Sequence, residues 1–323
     1  MPFSVPILFL TYNRPTHTQK VFEVIRQMQP AQLFWAIDGA KNEQDLPKIA
    51  AVKAIIQQIT WQCDLKILEN SQNLGCGIAV SRAISWFFEH VEQGIILEDD
   101  CLPEPSFFHY CQILLERYAQ NNEIMCISGV NYCPRTRKIP ESYFYSYYAQ
   151  IWGWATWKRA WLHYQHSTQS WEAFIRSSIF KEIFTTQRER VYWQKTLINY
   201  AQQNPNLWAL RWLVSIWQRK GLAVIPKHNL VSNIGFGQEA THTRITESWF
   251  ANMPTFPLNQ ITFPQKISRN LQADICTFRT FYNPKTTFLN HLRNLSYWIF
   301  PYTWRKWLKS NLIKTIKTMK NAG

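Results

Sequence analysis

Over the first 130 residues the pattern of apolar and polar positions switches repeatedly between two periods. Short, nearly unbroken apolar runs have the length and the β-branched or aromatic content of buried strands: "VPILFLTY" (5–12), "QLFWAID" (32–38), "CDLKILE" (63–69), "GIIL" (94–97) and "IMCISGV" (124–130). Between them lie longer stretches with apolar residues three and four apart, as one face of a helix requires. These are "PTHTQKVFEVIRQM" (15–28), "DLPKIAAVKAIIQQI" (45–59), "GIAVSRAISWFFEHV" (77–91) and "SFFHYCQILLERYA" (106–119). Pro15 suits the first turn of the first helix. Such alternation predicts an α/β fold whose mostly parallel central sheet is flanked by helices. Right-handed crossovers bring the strand ends to one edge, where ligands bind.

The pattern then changes. Nine tryptophans fall between Trp152 and Trp217. They lie in "IWGWATWKRAW" (151–161), in Trp171, and in a stretch from Tyr192 to Leu222 that reads as two helices. "LAVIP" (222–226) predicts a late strand, "NIGFGQEATHT" (233–243) a glycine-bearing loop, and the proline-punctuated "NMPTFPLNQITFP" (252–264) an extended segment over the surface. Trp161, Trp193 and Trp217 are expected as plain core. The expected organisation is one domain over 1–265, with halves 1–130 and 131–265, followed by an extension over 266–323.

Composition adds one asymmetry. Lys and Arg outnumber Asp and Glu by 35 to 21, and no acid follows Asp274. The last 49 residues interleave bases such as Arg305, Lys306 and Lys309 with Trp298, Tyr302, Trp304 and Trp307. This mixture suits an anionic membrane surface; nucleic acid would attract the same charges, and packing of the aromatics on the main domain is an equal alternative. Because the nucleic-acid reading rests on this tail and the charge balance alone, no nucleic-acid partner is expected. There is no apolar run of the roughly 18 residues a spanning helix needs, and the N-terminus lacks a basic leader pattern. The expectation is a cytoplasmic protein, peripheral at most on the inner face of the plasma membrane. Seven scattered cysteines show neither metal spacing nor a disulfide framework, and are expected reduced.

The candidate chemistry sits at the strand ends. "GIILEDDCLP" (94–103) ends a buried strand in Glu98, Asp99 and Asp100, whose mutual repulsion calls for a compensating charge. A divalent cation shared with a substrate diphosphate would supply it, since hard oxygens bind Mg²⁺ or Mn²⁺. Thr11, Asn13 and Arg14 end the first strand and Asp38 the second, placing groups able to meet a phosphate, ribose or base on the same edge. Asn73, Gly75 and Gly77 open the third helix, where backbone N–H groups favour an anion. The third glycine of a dinucleotide fingerprint is missing and the stretch follows the third strand rather than the first, which argues against a Rossmann dehydrogenase. Arg82, two turns on, faces either solvent or phosphate.

These motifs together resemble the GT-A-fold nucleotide-diphospho-sugar glycosyltransferases. "QNLGCGIAVSRAISWFFE", "GIILEDDCLPEPSFF", "IWGWATWKRAW" and "NLVSNIGFGQEATHT" are similar, in order and over about residues 5–265, to a bacterial family related to the inverting N-acetylglucosaminyltransferases. The resemblance implies a metal-dependent transfer of sugar from a nucleoside diphosphate, with a UDP-sugar favoured, to a glycan or lipid-linked acceptor. It implies Asp100 as the direct ligand of Mn²⁺ or Mg²⁺ and Glu98 and Asp99 as contacts of nucleotide or metal-bound water. Arg14 and Asp38 would hold base and ribose. Gly235, Gly237 and His242 would lie in a loop over the diphosphate, His242 as a further metal contact. Trp152, Gly153 and Trp154 would form the acceptor wall. One departure stands out. Where the family carries Trp-Asp-Tyr-Gln-Trp, this chain has Trp208-Ala209-Leu210-Arg211-Trp212, without the Asp expected to deprotonate the acceptor. No Asp occurs between Asp100 and Asp274, so a replacement base would be Glu239, Glu104 or Glu189. A non-catalytic GT-A fold that binds carbohydrate or serves as a scaffold at the membrane is the alternative.

Overall fold

The computed structural model describes residues 2–133, 136, 139–203, 208–236 and 250–283. Residues 1–277 form one compact unit; of the second, 278–323, only residues 278–283 are described, with a π-helical turn at Phe278–Tyr282. The strands are β1 (Ile7–Thr11), β2 (Gln32–Ile37), β3 (Asp64–Glu69), β4 (Gln93–Glu98), β5 (Cys101–Pro103), β6 (Ile124–Ser128), β7 (Tyr143–Ser146), β8 (Trp154–Trp157), β9 (Leu222–Pro226) and β10 (Val231–Asn233). The helices are α1 (Pro15–Met28), α2 (Asp45–Ile55), α3 (Gly75–His90), α4 (Ser106–Arg117), α5 (Lys158–Trp161), α6 (Trp171–Arg176), α7 (Ser178–Ile183), α8 (Gln187–Gln203), α9 (Trp208–Gln218) and α10 (Leu271–Thr277).

Eight strands form one sheet in the order β3-β2-β1-β4-β8-β6-β9-β7, and β5 pairs with β10 as a separate antiparallel ribbon. The four strands β3-β2-β1-β4 are mutually parallel, as the helix-length crossovers between them require. The other half is mixed. β8 runs antiparallel between β4 and β6, and β7 antiparallel to β9. The sheet is therefore less parallel than the strand-helix pattern predicts. The reason is local: "WATW" is a four-residue piece of a tryptophan-rich run, too short to read as a strand by itself although Trp and Thr favour extended backbone.

β1 is buried at every position, covered on both faces. Phe9, Phe22 and Trp35 pack with centroids 4.9 and 5.4 Å apart and join α1 to the sheet. In the other half Trp193 meets Trp217 at 4.7 Å, and Trp161, Trp193 and Trp217 are core residues. The segment after Phe250 crosses the surface as an extended strap. Leu258 N–H donates to Ser106 Oγ at 2.8 Å, Ser142 N–H to the Thr262 carbonyl at 3.1 Å, and Asn270 N–H to the Tyr145 carbonyl at 2.8 Å. α10 then anchors through buried Asp274, which accepts from Ser146, the Tyr147 N–H and Arg269.

The strap corrects one expectation. It returns Cys276 to the loop after β6, where it forms a disulfide with Cys133, Cα to Cα 5.6 Å, across 143 residues of sequence. No local spacing encodes that pair, because only the path of the strap brings the two together. Cys63, Cys76, Cys101, Cys111 and Cys126 are free thiols. Among the described residues no helix is long and apolar enough to cross a membrane.

Candidate functional site

Thr11 pairs with Ile37, Ile37 with Glu69 and Leu10 with Glu98, so the C-terminal ends of β1 to β4 are level to within a residue. The segments leaving those strands meet at one rim. The start of α3 closes that rim on one side, and Trp152 with Asn233, Gly235 and Phe236 on the other, leaving a cleft of about 470 Å³. Along the strand order its lining runs from Leu68 and Asn70 at β3, through Ile37 and Asp38 at β2 and Arg14 after β1, to the acid triplet after β4 and Trp152 before β8, with Phe236 against Trp152 at 5.7 Å.

Arg14 supplies the compensating charge. Its carbonyl accepts the N–H and the hydroxyl of Thr18, both at 2.9 Å, which fixes the residue at the start of α1. Its side chain reaches β4. Nη2 ion-pairs with Asp99 Oδ1, Nε donates to Asp99 Oδ2 at 3.3 Å, and Nη1 to Asp100 Oδ2 at 2.9 Å. Burial pulls the guanidinium down, and the two aspartates hold it above its ordinary range. Fully ionised, the three carboxylates exceed the one guanidinium by two negative charges. Burial, with repulsion from Asp100 and Asp99, pushes Glu98 up to about 8. Burial raises Asp99 to about 6 against the pull of Arg14. Cys76, in the first turn of α3, is pushed up to about 12 by burial, Glu98 and Asp100, so it is a poor nucleophile at neutral pH.

A divalent cation fits this donor set. Glu98 makes no side-chain hydrogen bond to a described residue, and Asp100 Oδ1 carries only long contacts, 3.4 Å to Asn233 and 3.5 Å to Cys101 Sγ. Hard oxygens with uncompensated charge suit Mg²⁺ or Mn²⁺, which take one or two carboxylates plus substrate phosphate rather than a full protein cage. Among the described residues no group of three His, Cys, Asp or Glu is placed so that it could hold a metal ion by itself. Gly235 lies so close that a Cβ there would sit 2.8 Å from Asp100 Cβ and Cγ. The β5–β10 ribbon sets this approach through Ile234 N–H, which donates to the Asp100 carbonyl at 2.8 Å.

Asp38 lines the cleft, but protein groups use most of its carboxylate. Oδ1 accepts from Gly39 N–H at 3.0 Å, Asn70 Nδ2 at 3.0 Å and Leu74 N–H at 3.1 Å; Oδ2 accepts from Asn73 at 3.0 Å. It ties the ends of β2 and β3 to the start of α3 and keeps one Oδ2 lone pair for a ligand. Thr11 also lines the cleft, with its hydroxyl held between Trp35 Nε1 and the Ala36 carbonyl.

Several residues expected at the site do not line the cleft. Asn13 donates to Asp45 at 2.7 Å, and exposed Arg82 to Asn70 at 3.0 Å. The Glu104 carboxylate accepts from Ser106 N–H at 2.8 Å and holds the first turn of α4. Glu189 is fully buried, taken up by Thr186 and by Tyr148 at 3.1 Å, and caps α8. Trp154 is 1% exposed and stacks on Trp208 at 5.9 Å, so its ring is core rather than acceptor wall. Gly153, at φ +62°, turns the chain between Trp152 and β8. Ala209, in the first turn of α9, is half-buried and offers no proton acceptor. Glu239, Gly237 and His242 lie outside the described residues. Tyr12, Lys41, Cys76, Asn233 and Phe236 line the cleft without having been singled out. Asn233 and Phe236 lie within "NLVSNIGFGQEATHT" and Cys76 within "QNLGCGIAVSRAISWFFE", whereas Tyr12 and Lys41 lie in none of the motifs that carry the resemblance.

No family model matches this chain, and no curated protein matches it. Among solved structures it is similar to HddC from Yersinia pseudotuberculosis, with 10% identity over 50% of this chain and 80% of that one, TM-score 0.31. It is similar to the inositol-1-phosphate CTP transferase of T. maritima, 10% identical over 50% and 73%, TM-score 0.30. Mouse xyloside xylosyltransferase 1 is 9% identical over 69% and 84%, TM-score 0.35. Two of the three are transferases by name. At these scores the likeness carries no argument about the reaction of this chain.

Proposed function

We propose that this protein is a glycosyltransferase that takes a sugar from a nucleoside diphosphate, a UDP-sugar for preference, to a glycan or lipid-linked acceptor. One observation carries the reading: three carboxylates at the rim of parallel strands, only partly compensated by Arg14, in a cleft whose lining runs along the strand order from Leu68 and Asn70 to Trp152 and Phe236. That order matches a donor laid lengthwise. A nucleoside suits the end at Leu68, Asn70 and Asn73, with the remaining Asp38 lone pair available to a ribose hydroxyl. A diphosphate suits the middle, and a sugar face suits Trp152 and Phe236. Asp100 would hold a divalent cation with Glu98 close by, and such a cation neutralises the leaving diphosphate. Arg14 keeps Asp99 and Asp100 oriented. Glu239 stays a candidate base, and the basic extension would favour an anionic membrane surface.

A panel of sugar nucleotides with Mn²⁺ tests the reading: donor binding and hydrolysis should appear for one of them and be lost in Asp100→Asn. Absence of both for every donor ends it. Ala209 favours a second reading, a GT-A fold that binds carbohydrate or serves as a scaffold without catalysis. Ala209→Asp separates the two, since a large gain in turnover marks a lost base, while robust turnover of the unaltered protein eliminates the scaffold.

A further inference from the structure

We infer that Asp45 is a positioning residue that sets donor affinity without touching the donor, by holding Tyr12 and Lys41 in the cleft wall. This rests on the donor-binding reading above. Asp45 opens α2, is 7% exposed and does not line the cleft. Its Oδ2 accepts the Tyr12 hydroxyl at 2.7 Å and the Lys41 N–H at 3.0 Å, and its Oδ1 accepts Asn13 Nδ2 at 2.7 Å. A single carboxylate thus joins the segment leaving β1 to the segment leaving β2.

No cation pairs with Asp45 among the described residues. The Tyr12 hydroxyl first, then the Asn13 and backbone N–H donors, hold its carboxyl below the usual range, and a helix N-terminus favours the same charge. Burial, with Asp45 beside it, raises the Tyr12 hydroxyl, so that group stays a neutral donor to the brace. With its hydroxyl committed to Asp45, Tyr12 lines the cleft. Lys41 is placed through its backbone, while its exposed ammonium makes no bond to a described residue. Apart from Arg14, which is spent on the acid triplet, it is the one cation lining the cleft among the described residues. An anionic nucleotide would meet it there.

The test is calorimetric titration of the full chain with UDP, GDP, CDP and ADP in Mn²⁺, with donor hydrolysis measured on the same preparations. Asp45→Ala should weaken the best nucleotide about tenfold or more, with KM rising much further than kcat falls. Asp45→Asn, which keeps one acceptor oxygen, should recover most of the loss. Tyr12→Phe, a milder change that keeps the ring, should weaken binding in the same direction, and its effect should not add to that of Asp45→Ala. If the unaltered protein binds a nucleotide and Asp45→Ala and Tyr12→Phe bind it within about twofold, the brace is refuted and the donor reading stands. If no nucleotide binds the unaltered protein, the donor reading falls and the brace with it.

Discussion

Replacing Arg14 with methionine removes the guanidinium from the acid triplet but keeps a side chain of similar reach. Arg14 Nη1 lies 2.9 Å from Asp100 Oδ2, with both side chains 16% exposed, and the Asp99 side chain is 3% exposed. At an effective dielectric constant of about 20, each contact is worth roughly 5 kcal/mol of Coulomb energy before desolvation is counted. Removing one partner of a buried pair typically destabilises by about 3–5 kcal/mol. The carboxylates can relieve part of that by taking up protons, so the loss depends on pH. Glu98 and Asp99 already sit above their ordinary ranges, near 8 and 6. At these two carboxylates the folded state therefore binds more protons than the unfolded chain between about pH 4 and pH 8. Their contribution to stability is largest below that window and falls as pH rises through it. Without Arg14 the fall should be steeper. A unit of this size loses roughly 0.6 kcal/mol per degree near its midpoint, so about 3 kcal/mol corresponds to about 5 °C. Thermal unfolding by circular dichroism should place Arg14→Met about 5 °C below the unaltered protein near pH 8.5, with at least half of that gap closed near pH 5.5. Mn²⁺ should close part of the gap at the higher pH. An equal loss at both pH values, untouched by Mn²⁺, would show that Arg14 acts by packing alone.

Two further outcomes follow from the fold. Gly235→Ala drives a methyl group into the Asp100 carboxylate and should lower Mn²⁺ and nucleotide affinity at least tenfold, read by titration, with little change in the melting midpoint. The Cys133–Cys276 disulfide closes a loop of 143 residues, for which chain entropy gives at most about 5 kcal/mol. Thiol titration of the denatured, unreduced protein should find five thiols, and Cys133→Ser with Cys276→Ser should melt lower by several degrees; seven thiols and an unchanged midpoint would exclude the bond.

How much of this was legible in the chain varies by region. α1 begins and ends where the helical period of residues 15–28 does, and β1, β2 and β4 follow their apolar runs, because a buried parallel strand announces itself by continuous hydrophobicity, while β3 is an edge strand with no buried residue. Glu98, Asp99, Asp100, Arg14 and Asp38 meet at the cleft because each ends a strand in one parallel set. The partnership of Arg14 with the acids was not legible: it depends on two side chains crossing between neighbouring strands. Asp45 gave no signal either, since an acid at a helix start is ordinary and only the tertiary structure shows Tyr12, Asn13 and Lys41 gathered on it. The Trp-rich half misled at Trp154, whose sequence neighbour Trp152 faces the cleft while its own ring is core.

A structure of the protein with Mn²⁺ and a UDP-sugar bound measures the central claim most directly. The account predicts the cation on Asp100 and the diphosphate beside it, with the nucleoside against Asp38 and Asn70 and the sugar toward Trp152. A donor bound elsewhere, or one lying in the cleft with Asp100 still held by Arg14 alone and no cation on it, would contradict the account.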